Sequence, residues 1–126
     1  MPIDESAWPL VAIQWEGLPS DADVTQLLTC IDGWLERGER FGLLIDPRGS
    51  GVLTPEQRVR TIAHMKANAH RTPRLMLQAI VIQSRIQRTL FYGINMLFPN
   101  PFPSKVFADA SAARQWLQQE LAKPSR

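Results

Sequence analysis

The residues best suited by type and spacing to do chemistry lie in one loop, Asp46-Pro47-Arg48-Gly49-Ser50-Gly51-Val52-Leu53-Thr54, between an apolar run and a helix start. Loops that leave a strand and enter a helix are where parallel α/β sheets bind ligands. Gly49 and Gly51 would let backbone amides approach an anion, and a helix N-terminus from Thr54 to Gln57 carries positive partial charge. The loop lacks the Gly-Lys-Ser/Thr ending of a phosphate-binding loop and the third glycine of a dinucleotide fingerprint. Ser50 in Gly-Ser-Gly is not the nucleophile of a Gly-x-Ser-x-Gly elbow. The plainer reading is that the glycines satisfy the turn and Arg48 pairs with Asp46 or a neighbouring acid.

The other reactive side chains do not converge. His64 and His70 lie six residues apart, so on one helix they point in different directions and cannot chelate as an i, i+4 pair does. There is one cysteine and no carboxylate spaced to join the histidines, so neither a metal nor another cofactor is expected. Cys30 sits at helical spacing from Leu27 and Trp34 and reads as a small packed hydrophobe rather than a nucleophile. It has no partner for an internal disulfide, in keeping with a reducing, cytoplasmic setting.

These groups need a scaffold, and 126 residues with 44% hydrophobic and 21% charged composition suit one globular domain spanning 1–126, with its core at about 10–121. The longest apolar run, Ala79 to Ile82, is too short to cross a bilayer, so an integral membrane protein is not expected. The N-terminus, with Asp4 and Glu5, lacks a basic region followed by an apolar stretch and does not read as a secretory signal. Charge is unevenly placed. Residues 1–46 hold nine acids against Arg37 and Arg40, a net −7, and residues 47–106 hold nine Lys or Arg against Glu56, a net +8. Such asymmetry can steer an acidic partner, nucleic acid or an anionic membrane surface, or bring two copies together, and the plainer reading is solvated helix faces that differ in sign. No arginine-rich run interleaves with stacking aromatics, so specific nucleic-acid binding is not expected.

Alternation of hydrophobicity places strands at Leu10 to Trp15, Phe41 to Asp46, Met76 to Gln83 and Lys105 to Phe107. Between them Ser20 caps a helix with Val24, Leu27, Leu28, Ile31 and Leu35 on one face, and Gly38 stops it. Thr54-Pro55-Glu56-Gln57 opens a second helix as a capping box, running to about Ala69 with a wet polar side. Ser84 caps a third, whose Ile86, Leu90, Ile94 and Leu97 form a stripe expected to face the core. Asp109 opens the last, with Ala113, Trp116, Leu117 and Leu121 inward. The order β-α-β-α-β-α-β-α predicts a small α/β sandwich, a mostly parallel sheet of four or five strands with helices packed against it.

That order resembles the SpoIIAA-like branch of the STAS/Sec14-type domains. The likeness is carried by LLID ending the second strand, QAIVIQS entering a helix, and above all FPNPFPSKVFADASAARQWL, with Phe107, an acid, and Trp116-Leu117 on a small-residue helix. The resemblance implies a non-enzymatic, regulatory domain that acts through protein contacts, as the anti-sigma-factor antagonists do, with a homodimer among the expected assemblies. It carries over no catalytic residues. A phosphorylated Ser near the start of a helix is the switch in that family. Ser50 is the nearest hydroxyl in this loop, although Asp46 is followed here by Pro47 and Arg48 instead of an Asp-Ser turn. The expected interaction loop is therefore Asp46, Arg48, Ser50 and Thr54, beside a basic contact face of Arg58, Arg60 and Lys66. The Sec14-type relatives imply an alternative, a small lipophilic ligand held near Phe91, Tyr92, Met96 and Phe102.

Overall fold

The computed structural model describes all residues but 1, 16, 48–52, 98 and 124–126. In chain order the elements are β1 (Ile3–Asp4), β2 (Leu10–Gln14), α1 (Asp21–Glu36), β3 (Phe41–Asp46), α2 (Pro55–Ala67), α3 (Thr72–Leu75), β4 (Met76–Val81), α4 (Arg85–Leu97), β5 (Ser104–Phe107) and α5 (Ala110–Ala122). The five strands lie in the order β1-β2-β3-β4-β5. The β2–β3, β3–β4 and β4–β5 ladders are parallel, and β1 is antiparallel to β2. This is the expected α/β architecture with two additions, the two-residue β1 and the four-residue α3, both too short to leave a periodic signal. None of the described helices is long and apolar enough to cross a membrane.

The caps explain the boundaries. Ser20 accepts from the Asp23 amide while Asp23 accepts from the Ser20 amide, and Thr54 and Gln57 reciprocate in the same way, so both helices start where the chain supplies partners for free N–H groups. Gly38 takes φ +71° just beyond α1, a left-handed conformation that glycine adopts without a Cβ penalty. Asp109 caps α5 through the Ala112 amide at 2.8 Å.

Sequential parallel strands joined by right-handed crossovers place every connecting helix on the same face. Accordingly α1, α2 and α4 share one face. Val11, Ile13, Phe41, Leu43, Ile45, Met76 and Ile80 point towards it and form one core with Val24, Leu28, Ile31, Met65 and Phe91. The alternate strand residues Leu10, Leu44, Leu77, Ala79 and Val81 point the other way, onto Ala113 and Leu117 of α5. Gly42 admits α5 to close range: a Cβ there would stand 2.8 Å from Leu117 Cδ2.

Because α5 closes its face alone and Leu117 is fully buried at the centre, Leu117→Ala should lower the unfolding free energy by about 2–5 kcal/mol, read by urea denaturation. A loss below about 1 kcal/mol, the range of partly exposed positions, would mean that α5 does not seal the sheet.

Candidate functional site

The site is built from the start of α2. Gln57, beyond capping its helix, donates Nε2 to the Pro19 carbonyl at 2.8 Å and to Asp21 Oδ1 at 3.2 Å, which ties the N-terminus of α2 to that of α1. The next residue, Arg58, is thereby turned inward. It shares a helical face with Ile62 and Met65, at i+4 and i+7, and is only 7% exposed. Its Nη2 donates to Asn95 Oδ1 of α4 at 2.7 Å, and its guanidinium lies 5.2 Å from the Phe91 ring centroid. Burial pushes the Arg58 pKa down, because removing water disfavours the charged form.

Arg58 stands in the wall of a cavity of about 60 Å³ between the sheet and the three-helix layer. The rest of the wall is largely hydrocarbon: Trp15, Leu43, Ile45, Met76 and Ile80 from the sheet side, Leu27 and Ile31 from α1, Ile62 and Met65 from α2, and Phe91 from α4. Phe102 and Asn100 close it from the proline-rich crossover before β5, and Gln78 and Thr61 add polar groups. Thr61 already donates to the Gln57 carbonyl and Gln78 to Ser104 Oγ. Asn100 Nδ2 is buried without a hydrogen-bond partner.

Above the cavity lies α4, and its orientation departs from the expectation. Phe91 is its one fully buried residue among those described. Ile86, Leu90 and Leu97, expected to face the core, are 75%, 62% and 76% exposed. The apolar stripe points outward because the inward side of the helix is taken by Phe91, Asn95 and Arg88. Arg88 donates to the carbonyls of Ile82 and Gln83, both at 2.9 Å. A groove lined by Val59, Ile62, Ala63 and Lys66 of α2 with Leu97 and Pro99 runs beside the stripe.

The sequence candidates sort accordingly. Arg48 and Ser50 lie outside the described residues, with Gly49 and Gly51. Thr54 is the α2 cap, and the Asp46 carbonyl accepts from the Trp15 amide at 3.3 Å at the end of β3. Arg58 does not belong to an exposed basic face; it is core, held by Asn95. Arg60 is exposed but bonds to α1, to the Asp21 carbonyl and Thr25 Oγ1, whereas Lys66 is exposed on α2. Of the apolar pocket residues, Phe91 and Phe102 line the cavity, while Tyr92 and Met96 are exposed on the outer side of α4. Asn100 and Gln78 were missed, being polar residues without a motif. Arg58 had a signal, a base in register with Ile62 and Met65.

The remaining reactive groups stay apart. His64 Nε2 lies 2.8 Å from Asp32 Oδ1 on α1, His70 is exposed beyond α2, and no group of three metal-ligating residues forms among the described residues. Burial, followed by the charge of Glu5, pushes the Cys30 thiol up, which keeps it protonated and poorly nucleophilic.

The SpoIIAA-like family model matches residues 10–118. The chain belongs to the SpoIIAA-like family. Among solved structures it is similar to an uncharacterized protein of the DUF3478 family with a SpoIIAA-like fold from Shewanella loihica PV-4, at a TM-score of 0.60 and 20% identity, covering 92% of this chain and 90% of that one. No curated protein matches. The SpoIIAA-like match spans β2 through most of α5, so it includes every described residue of the cavity wall.

The orientation of α4 in this SpoIIAA-like domain makes a stability test. Phe91→Ala should cost about 3–5 kcal/mol and Leu90→Ala no more than about 0.5 kcal/mol, both from urea unfolding. The reverse order would place the stripe in the core.

Proposed function

We propose that this chain is a non-enzymatic adaptor that docks a partner protein through the outward stripe of α4 and the groove between α2 and α4. The observation that carries the reading is the stripe itself. Ile86, Leu90 and Leu97 recur at helical spacing on the exposed side, flanked by Tyr92 and Met96. Contiguous apolar surface of this kind on a small domain marks an interaction site. An apolar helix face seated in a partner's groove is a recurrent mode of protein recognition. The fitting partner has an apolar centre with an acidic rim, because residues 57–108 contain no Asp or Glu and Lys66 and Arg85 border the stripe. A second copy of the chain could supply the acidic part of that rim from its N-terminal third.

A photo-crosslinking residue in place of Leu90, in cells that normally produce the protein, is expected to give one discrete protein adduct. The same group at Gln118, exposed on α5, should not. An adduct of twice the chain mass identifies the partner as a second copy. Equal labelling from both positions, or none from position 90, would remove the docking reading. Leu97→Glu in the crosslinking background should reduce the adduct at least tenfold, since it places a carboxylate in a desolvated contact.

The cavity supports a second reading, in which a small apolar molecule is held beneath α4. Its largely hydrocarbon wall would favour such a ligand.

A further inference from the structure

We infer, resting on the reading that the outer side of α4 is a docking face, that its occupant is a second copy of the same helix, the two α4 helices packing antiparallel about a two-fold axis. The spacing of the face is self-complementary. Ile86, Leu90, Gly93 and Leu97 follow one another at intervals of four, three and four residues, the seam along which two helices pack knobs into holes. All four are exposed. Gly93 is the decisive member. Glycine is among the poorest residues for a helix interior, and a Cβ at this position would meet nothing within 4 Å, so no described contact within the chain uses the missing side chain. A second helix does use it. With the helices antiparallel and the axis between Phe91 and Tyr92, Leu90 of each copy lies over Gly93 of the other, and Ile86 of each lies against Leu97 of the other.

Charge selects the antiparallel arrangement. Gln87, Thr89 and Met96, which flank the seam, are uncharged, and Arg88 is turned to the carbonyls of Ile82 and Gln83. Arg85 stands in the first turn of α4, a turn without an acid, where a cation opposes the positive end of its own helix. Antiparallel packing sets each Arg85 beside the negative carbonyl end of the other helix. The two Arg85 side chains are then roughly 20 Å apart at 1.5 Å per residue, beyond the Debye length of about 8 Å at physiological ionic strength. A parallel pair would bring them together. The contact also reaches past the helix: Leu97 borders an open groove of about 260 Å³ with Val59 and Ile62 of α2, so Ile86 of the second copy has an apolar recess beside it. One face of a 13-residue helix, about 20 Å long, still presents less than the roughly 800 Å² per partner of a standard interface. The assembly it supports is a reversible dimer rather than an obligate one.

Sedimentation velocity of the full chain, from micromolar to millimolar concentration, is expected to show a reversible monomer–dimer equilibrium. Gly93→Gln places a long side chain where Leu90 of the other copy packs. It should weaken dimerisation at least tenfold while leaving unchanged or raising the thermal midpoint of the dilute monomer. A lowered midpoint would mean that the monomer itself needs Gly93 and would remove the argument for a second helix. The register is read by mixing singly substituted chains, all carrying Cys30→Ser, in a glutathione redox buffer. Leu90→Cys should form a disulfide with Gly93→Cys, whose Cα the pairing brings within bridging distance, at least tenfold more than with Ile86→Cys, which it holds about 10 Å away along the axis. A dimer that ignores Gly93→Gln, or a preference for the Ile86→Cys pairing, would overturn the antiparallel α4 contact. A chain that stays monomeric throughout would overturn self-pairing. The crosslink from position 90 then decides the docking reading separately: an adduct with a different protein preserves it, and no adduct removes it as well.

Discussion

The handedness of the strand-helix-strand crossover is the constraint from which the rest of this structure follows. With β2, β3, β4 and β5 in sequential order, right-handed connections send α1, α2 and α4 to one face and leave the other to α5. Three helices side by side at 8–10 Å need roughly 16–20 Å between the first and last axes. Four strands at about 4.8 Å span only roughly 14 Å. The outermost helix therefore overhangs. On the α1 side β1 widens the sheet, and Trp8 stacks on Phe41 at 5.6 Å. On the other side β5, four residues long, ends the sheet, and α4 has only α2 as a neighbour in its layer. Its single buried aromatic and its exposed stripe are consequences of that position.

The same layer accounts for the uneven charge of the sequence. The acidic α1 and the basic α2 lie side by side and engage one another: His64 with Asp32, Gln57 with Asp21, Arg60 with the Asp21 carbonyl, and Arg71 beyond α2 with Glu36 at 2.6 Å. Charge that looked available for a partner is partly occupied within the chain. These are mostly exposed or half-exposed contacts, each contributing little to stability, but together they set which face of α2 meets α1. That register directs Arg58 inward, and it leaves Lys66 as the α2 cation on the groove side.

Strands, caps and the order of elements were legible because they depend on local chemistry: period-two alternation in Leu10 to Gln14, Ser20 and Thr54 as caps, and Gly38 where φ must be positive. The orientation of α4 was not legible for a physical reason. Amphipathic spacing states which residues of a helix share a face, and says nothing of what that face touches. Ile86, Leu90 and Leu97 do form one stripe, but Phe91, Asn95 and Arg88 hold the opposite side of the helix against the body. Arg58 shows the complementary failure. A charged residue is ordinarily assigned to the surface, and the assignment fails where a helix-start network fixes the rotation of the helix before the charge is accommodated. The cavity residues Asn100 and Gln78 come from a crossover and a strand far apart in sequence, so only the folded chain brings them together.

One helix consequently separates two environments. The inner side of α4 contributes Phe91 to the cavity and Asn95 to Arg58, and its outer side presents the stripe. It is held to the body chiefly by that aromatic, that hydrogen bond and the Arg88 contacts at its start, a small set beside the buried faces of α1 and α5. Elements with few buried contacts open at lower free energy than the core. Any shift of α4 that moves Phe91 changes the volume beneath it, and any molecule beneath it that resists such a shift changes how the stripe is presented. Linkage requires the two effects to be equal in free energy. A molecule in the cavity and a partner on the outer face would thus be thermodynamically coupled to the extent that α4 moves as a unit, and independent to the extent that Asn95 and Arg88 hold it in place.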